Sequence, residues 1–153
     1  MSSPDGSTVS FRRVPATFPR RTVERFARRL QLEVAKGRRF DCLITGDTEL
    51  RRLNRDFRGK DYATDVLSFP AATGSPTIEA SLGDLAISLG RARAQAREFG
   101  HKIEQEVQIL MLHGVLHLLG MDHEQDTGQM ARAEKRWRTK LGLPNGLIER
   151  VRA

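Results

Sequence analysis

The pattern of this chain predicts an α+β fold: a small, mostly antiparallel or mixed sheet of about four strands covered by about five helices. Three observations carry that prediction. Short apolar runs of strand length are bounded by Gly, Pro or charged residues, and longer segments place apolar residues three or four apart. The two kinds interleave without an internal repeat or a dividing linker. With 153 residues, 39% hydrophobic and 29% charged, the chain has the length of one globular domain, expected over 9–153 behind a flexible tail at 1–8.

In chain order, Val9–Val14 is expected as a short first strand. Val23, Phe26, Ala27, Leu30 and Val34 mark an amphipathic helix over Arg21–Ala35, which Lys36 and Gly37 end. Phe40–Thr45 reads as a strand. Asp47 is then suited to cap a helix carrying Leu50, Leu53 and Phe57 on one face. A polar loop over Gly59–Thr64 leads to a strand at Val66–Phe69, closed by Pro70, and a Gly/Ser/Thr/Pro loop follows over 71–80. Leu82–Ile87 is another strand. Ser88 is a suitable N-cap for a helix over Leu89–Phe99, and Gly100 is its stop. Ile103–Leu119 is a long, strongly apolar helix with Glu104 and Glu106 near its positive end. Met130, Ala133, Trp137 and Leu141 mark a last amphipathic helix beginning near Asp126 or Thr127.

Lys and Arg number 26 against 19 Asp and Glu, a formal charge of +7, which points to an anionic partner, with nucleic acid the first candidate. The excess falls in three segments: Arg12–Arg39, Arg51–Lys60 and Arg132–Arg152. Cys42 is the sole cysteine, so an intramolecular disulfide and a thiolate-rich metal site are both excluded, and its apolar surroundings suit a small buried residue. The first ten residues are polar, unlike a signal peptide, and the longest apolar stretch, Ile109–Met121, is too short to span a bilayer. A reducing cytoplasm and no membrane partner are the expectation.

The chemistry concentrates in H-G-V-L-H-L-L-G-M-D-H, from His113 to His123. His113 and His117 stand four apart, so on a helix both rings project from one face and can grip one tetrahedral cation. Gly120 stands where a helix stops, letting the chain turn back and deliver His123 as a third ligand. Three neutral imidazoles leave Zn²⁺ one open position, the arrangement of a catalytic site. His101 lies outside this pattern and is expected to be exposed near a helix start.

The spacing is also that of the metzincin peptidases, which is why a zincin-like site on a long central helix is expected. Those enzymes place Glu directly after the first His as general base, and this chain has Gly114 there, so peptide hydrolysis ranks second. Beside the third ligand, Asp122 and Glu124 are candidates to orient a histidine or assist a water, or simply to stabilise the turn. Asp84, a carboxylate in a strand, suggests a hydrogen-bonding task.

The same eleven residues resemble the signature of the bacterial YbeY endoribonuclease family, the rRNA maturation factors. L-N-R-D-F-R-G-K-D-Y-A-T-D-V-L-S-F-P, from Leu53 to Pro70, resembles that family's central motif, and L-G-D-L-A-I-S, from Leu82 to Ser88, its next strand. The resemblance implies a zinc-dependent, single-strand-specific endoribonuclease with one Zn²⁺, acting in rRNA maturation and ribosome quality control. It implies single-stranded RNA, rRNA precursor and the small ribosomal subunit as partners, with a ribosome-associated GTPase or ribosomal protein beside them. Arg58 matches the family's arginine beside the site, so Arg58 and His113 are the catalytic candidates. A guanidinium there suits the charge that develops on phosphate oxygens during cleavage. Thr64, Asp65 and Ser68 belong to the central motif, Asp65 as a turn residue or as a partner of a ligand. The competing readings are a ribosome- or RNA-binding assembly factor with a structural metal, and a metallopeptidase-like hydrolase.

Overall fold

The apolar runs assemble into one sheet in the computed structural model of the chain, which describes residues 6–71, 81–122 and 126–144. Its strands are β1 (Thr8–Phe11), β2 (Asp41–Thr45), β3 (Val66–Pro70) and β4 (Gly83–Ser88), in the order β1-β2-β4-β3. The sheet is mixed, and its majority is parallel rather than antiparallel: β1 with β2 and β2 with β4 run parallel, and only β3 with β4 is antiparallel. Helix-bearing crossovers return the chain to the same end of the sheet before each parallel strand. The β3–β4 pair is closed at its end by a bond from the Ala71 amide to the Leu82 carbonyl, 3.0 Å.

The first strand begins earlier and ends sooner than Val9–Val14. Arg13 takes a left-handed φ of 59°, which breaks extended backbone after Phe11. Ser7 anchors the strand's start, donating its amide to Gln31 Oε1 (2.6 Å) and accepting from the Phe40 amide at Oγ (3.0 Å).

Among the described residues five helices cover the sheet: α1 (Arg20–Glu33), α2 (Asp47–Arg58), α3 (Leu89–Phe99), α4 (Ile103–Leu118) and α5 (Gln129–Leu141). Lys36 and Gly37, at φ 54° and 92°, turn the chain away after α1 as expected. Ser88 caps α3, its Oγ accepting from the Arg91 amide at 3.1 Å, and Gly100 ends it in left-handed conformation. Asp47, however, is not the cap of α2. Gly46 holds that position, and the Asp47 carboxylate instead accepts the Ser88 hydroxyl. A fully buried Ser88 next to it is the stronger claimant for that carboxylate.

Period-two alternation sorts the strands' residues between two layers. Cys42, Ile44, Leu85 and Ile87 face the main core with α1 and α4, while Leu67 and Ala86 face Leu50 of α2. Helix α4 is apolar almost all round because it is enclosed by the sheet, α1, α3 and α5; Val107, Leu110, Met111 and Val115 are all 0% exposed. Each such side chain contributes about 1.5–3 kcal/mol of burial. This is what makes α4 a rigid platform for its histidines.

One polar residue near the start of α4 departs from expectation. His101 is not exposed: its side chain is buried, with Nε2 2.6 Å from Oε1 of Glu106, which stands in the first turn of α4 as expected and is fully buried. Among the described residues no helix is long and apolar enough to cross a membrane.

Candidate metal centre

The last turns of α4 carry His113 and His117 on one face. Their rings lie 4.7 Å apart at 73°, and their Nε2 atoms approach to 3.1 Å. Two nitrogens bound to one tetrahedral Zn²⁺ at 2.0–2.1 Å lie about 3.3 Å apart, so this donor pair fits such an ion. His113 is buried, and its Nδ1 lies 2.7 Å from Oε2 of Glu134 on α5.

After Leu119 the helix closes through glycine. Gly120 takes φ 95°, its amide donates to the His117 carbonyl (2.9 Å), and the Met121 amide donates to the Leu116 carbonyl (3.1 Å). These paired bonds are the Schellman stop that only a residue tolerating positive φ accepts cheaply. The turn brings Met121 and Asp122 back to line a pocket of about 330 Å³ with Arg58, Ser68, His113 and His117. The Asp122 carbonyl accepts from the Asp126 amide at 3.1 Å, tying together the two ends that flank 123–125. His123 and Glu124 lie outside the described residues. Among the described residues no group of three His, Cys, Asp or Glu side chains forms a ligand cluster.

Arg58, the last residue of α2, differs from the three arginines before it in the helix. Arg51 bonds Asp61 at 2.8 Å, Arg52 bonds Glu49 and Asp56, and Arg55 bonds Asp56 at 3.2 Å. The hydrogen bonds from Arg51 and Arg52 hold the carboxyls of Asp61 and Glu49 below the usual range. Among the described residues Arg58 has no such ion pair, and it lines the pocket with the two histidines.

The β3 side of the pocket is braced. Ser68 Oγ donates to the Gly114 carbonyl at 3.4 Å. Asp65, also lining the pocket, accepts from the Val66 amide (2.8 Å) and from Gln95 Nε2 (3.2 Å), while its carbonyl accepts from the Ser88 amide (2.9 Å). These bonds make Asp65 the brace between β3's entry and α3. Asp84 stands elsewhere. It lies in a groove on the α2 side of the sheet, opposite Asp41, and makes no side-chain hydrogen bond among the described residues, contrary to expectation. Partial burial and then the Asp41 charge push its carboxyl up. Cys42 is buried as expected, and burial pushes its thiol well up.

A family model described as "Endoribonuclease YbeY" matches residues 12–142. The chain belongs to the YbeY family. A relative from Solibacter usitatus named "Endoribonuclease YbeY" is 75% identical over the whole of both chains. Another of that name, from Koribacter versatilis, is 54% identical over 71% of this chain and 68% of its own. A Thermotoga maritima protein known from a solution structure superposes with a TM-score of 0.57 at 26% identity, covering 88% of this chain and 92% of that one.

Within this YbeY-family chain the peptidase reading meets a steric obstacle. Gly114 faces the sheet, and a Cβ there would stand 2.7 Å from Leu85 Cδ2, so any side chain at that position would have to displace Leu85. The residue that sequence reasoning overlooked is Glu134. Asp122 and Glu124 flank His123 in sequence, whereas the carboxylate on His113 comes from α5, 21 residues further along the chain. The signal was present: Glu134 shares the stripe of Met130, Trp137 and Leu141, where a lone carboxylate on a buried face requires a partner.

Proposed function

We propose that this endoribonuclease works with one Zn²⁺ held by His113, His117 and His123, a zincin-like arrangement on α4, and cleaves single-stranded RNA within ribosomal RNA precursors. The observation that carries the reading is the 3.1 Å approach of two imidazole Nε2 atoms in the pocket that Arg58 also lines. The place of Asp122 in the same pocket supports His123, its neighbour in sequence, as the third ligand. When bound, the ion supplies Lewis acidity to the scissile phosphodiester. Arg58 pairs with the non-bridging phosphate oxygens and stabilises the charge they gain, while His113 holds the cation from the buried side. The net charge of +7 suits a polyanionic substrate.

Cytoplasmic rRNA maturation and ribosome quality control follow as the setting, with the small ribosomal subunit, and a ribosome-associated GTPase or ribosomal protein, as partners. The decisive experiment is metal analysis of the purified chain coupled to cleavage of single-stranded RNA with and without a chelator. About one zinc per chain is expected, lost together with cleavage in His117→Ala. Full cleavage by metal-free protein would overturn the zinc mechanism. RNA binding without any metal-dependent cleavage would instead mark an assembly factor whose metal only stabilises the fold.

A further inference from the structure

We infer that Glu134 is a positioning residue for this metal centre: its carboxylate fixes the His113 ring so that Nε2 is the nitrogen presented to a divalent cation. The inference rests on the zinc reading above and adds to it the residue that sets the ligand's orientation.

An ionised carboxylate only accepts hydrogen bonds. With Oε2 at 2.7 Å, the proton of a neutral His113 ring therefore sits on Nδ1, and the lone pair is left on Nε2. That Nε2 is the atom facing His117 Nε2. Turning the ring over would bury the carboxylate without this partner, which is costly because Glu134 is only 1% exposed. The position of the carboxylate is itself fixed. Asp126 accepts from the amides of Gly128 and Met130 at 2.8 Å each, setting the start of α5, and Met130 is fully buried one turn before Glu134. A cation held by Nε2 would thus stand in series with the imidazole and the carboxylate, an order that raises ligand basicity and removes ring freedom before the cation arrives.

A purely structural role, in which the pair only docks α5 on α4, predicts altered stability and unaltered metal affinity. The test is Zn²⁺ alone, titrated into the full chain against a chromophoric chelator, with metal-free melting recorded for every variant. Glu134→Gln keeps an acceptor of the same size and drops the charge, so its affinity should fall roughly tenfold. Glu134→Leu removes the acceptor and should fall toward a hundredfold. The Co²⁺-loaded Gln variant should also show a shifted absorption spectrum. If the Leu variant fails to fold, the Gln variant decides alone. A parent chain that binds zinc with variants within twofold of it overturns the role of Glu134 only; a parent chain that binds no zinc overturns both readings.

Discussion

Gly114→Ala separates two effects of opposite sign. In an open helix the change is stabilising by about 1 kcal/mol, because glycine loses the most backbone entropy on folding. Here the added methyl would meet Leu85 at 2.7 and 3.1 Å, and Leu85 is 2% exposed, so its methyls must shift within a packed core to admit it. Overpacking of this kind costs about 1–3 kcal/mol. The net expectation is a loss of about 1 kcal/mol, read by urea or thermal unfolding; for a chain of this size that is a fall of roughly 2–4 °C in Tm. Leu85→Ala supplies the internal control. By itself it should cost about 2–5 kcal/mol, but with the obstacle gone Gly114→Ala should become stabilising by about 1 kcal/mol in that background. If Gly114→Ala is as stabilising in the parent as in the Leu85→Ala background, α4 does not approach the sheet this closely, and the steric case against a base at 114 fails with it.

Three further outcomes are expected. Arg58→Glu should keep its metal while cleavage falls by about 10²–10³, and undiminished cleavage removes Arg58 from the mechanism. His101→Leu should destabilise by roughly 3 kcal/mol in denaturant titration, whereas replacing His101 and Glu106 together by Leu should cost less than that single change. Asp84→Asn should raise Tm at pH 7 by an amount worth less than about 1 kcal/mol, given the residue's exposure. The sign follows from its raised carboxyl: ionised Asp84 is disfavoured in the folded chain, so the parent loses stability as pH rises through that value and the variant does not. Below the ordinary carboxylate range the two melting curves should converge; a gap that widens there contradicts the cause.

What the sequence made legible was local. The apolar stripe of α1, the Ser88 cap, the Gly100 stop and the whole span of α3 depend on residues within a turn of one another, and the structure matches them. The convergence of His113 and His117 is also local, a property of helical spacing, and so was readable. Partners across long separations were not. Whether β2 runs parallel to β4 depends on crossovers rather than on the strand's own residues. The Asp47 carboxylate went to Ser88, 41 residues away, instead of capping its own helix. Glu106 drew His101 into the interior because a fully buried carboxylate needs a donor more than that imidazole needs water. The start of the sheet escaped because a four-residue strand carries too little pattern to fix its ends.

The bond between Ala71 and Leu82 has a practical consequence. It finishes the β3–β4 pair before the intervening stretch begins, so the register that holds Ser68 and Pro70 against the histidines does not depend on how long that stretch is. Closure entropy grows only by about 0.6 kcal/mol for each doubling of loop length. A longer connection between Ala71 and Ser81 should therefore leave this wall of the pocket in place.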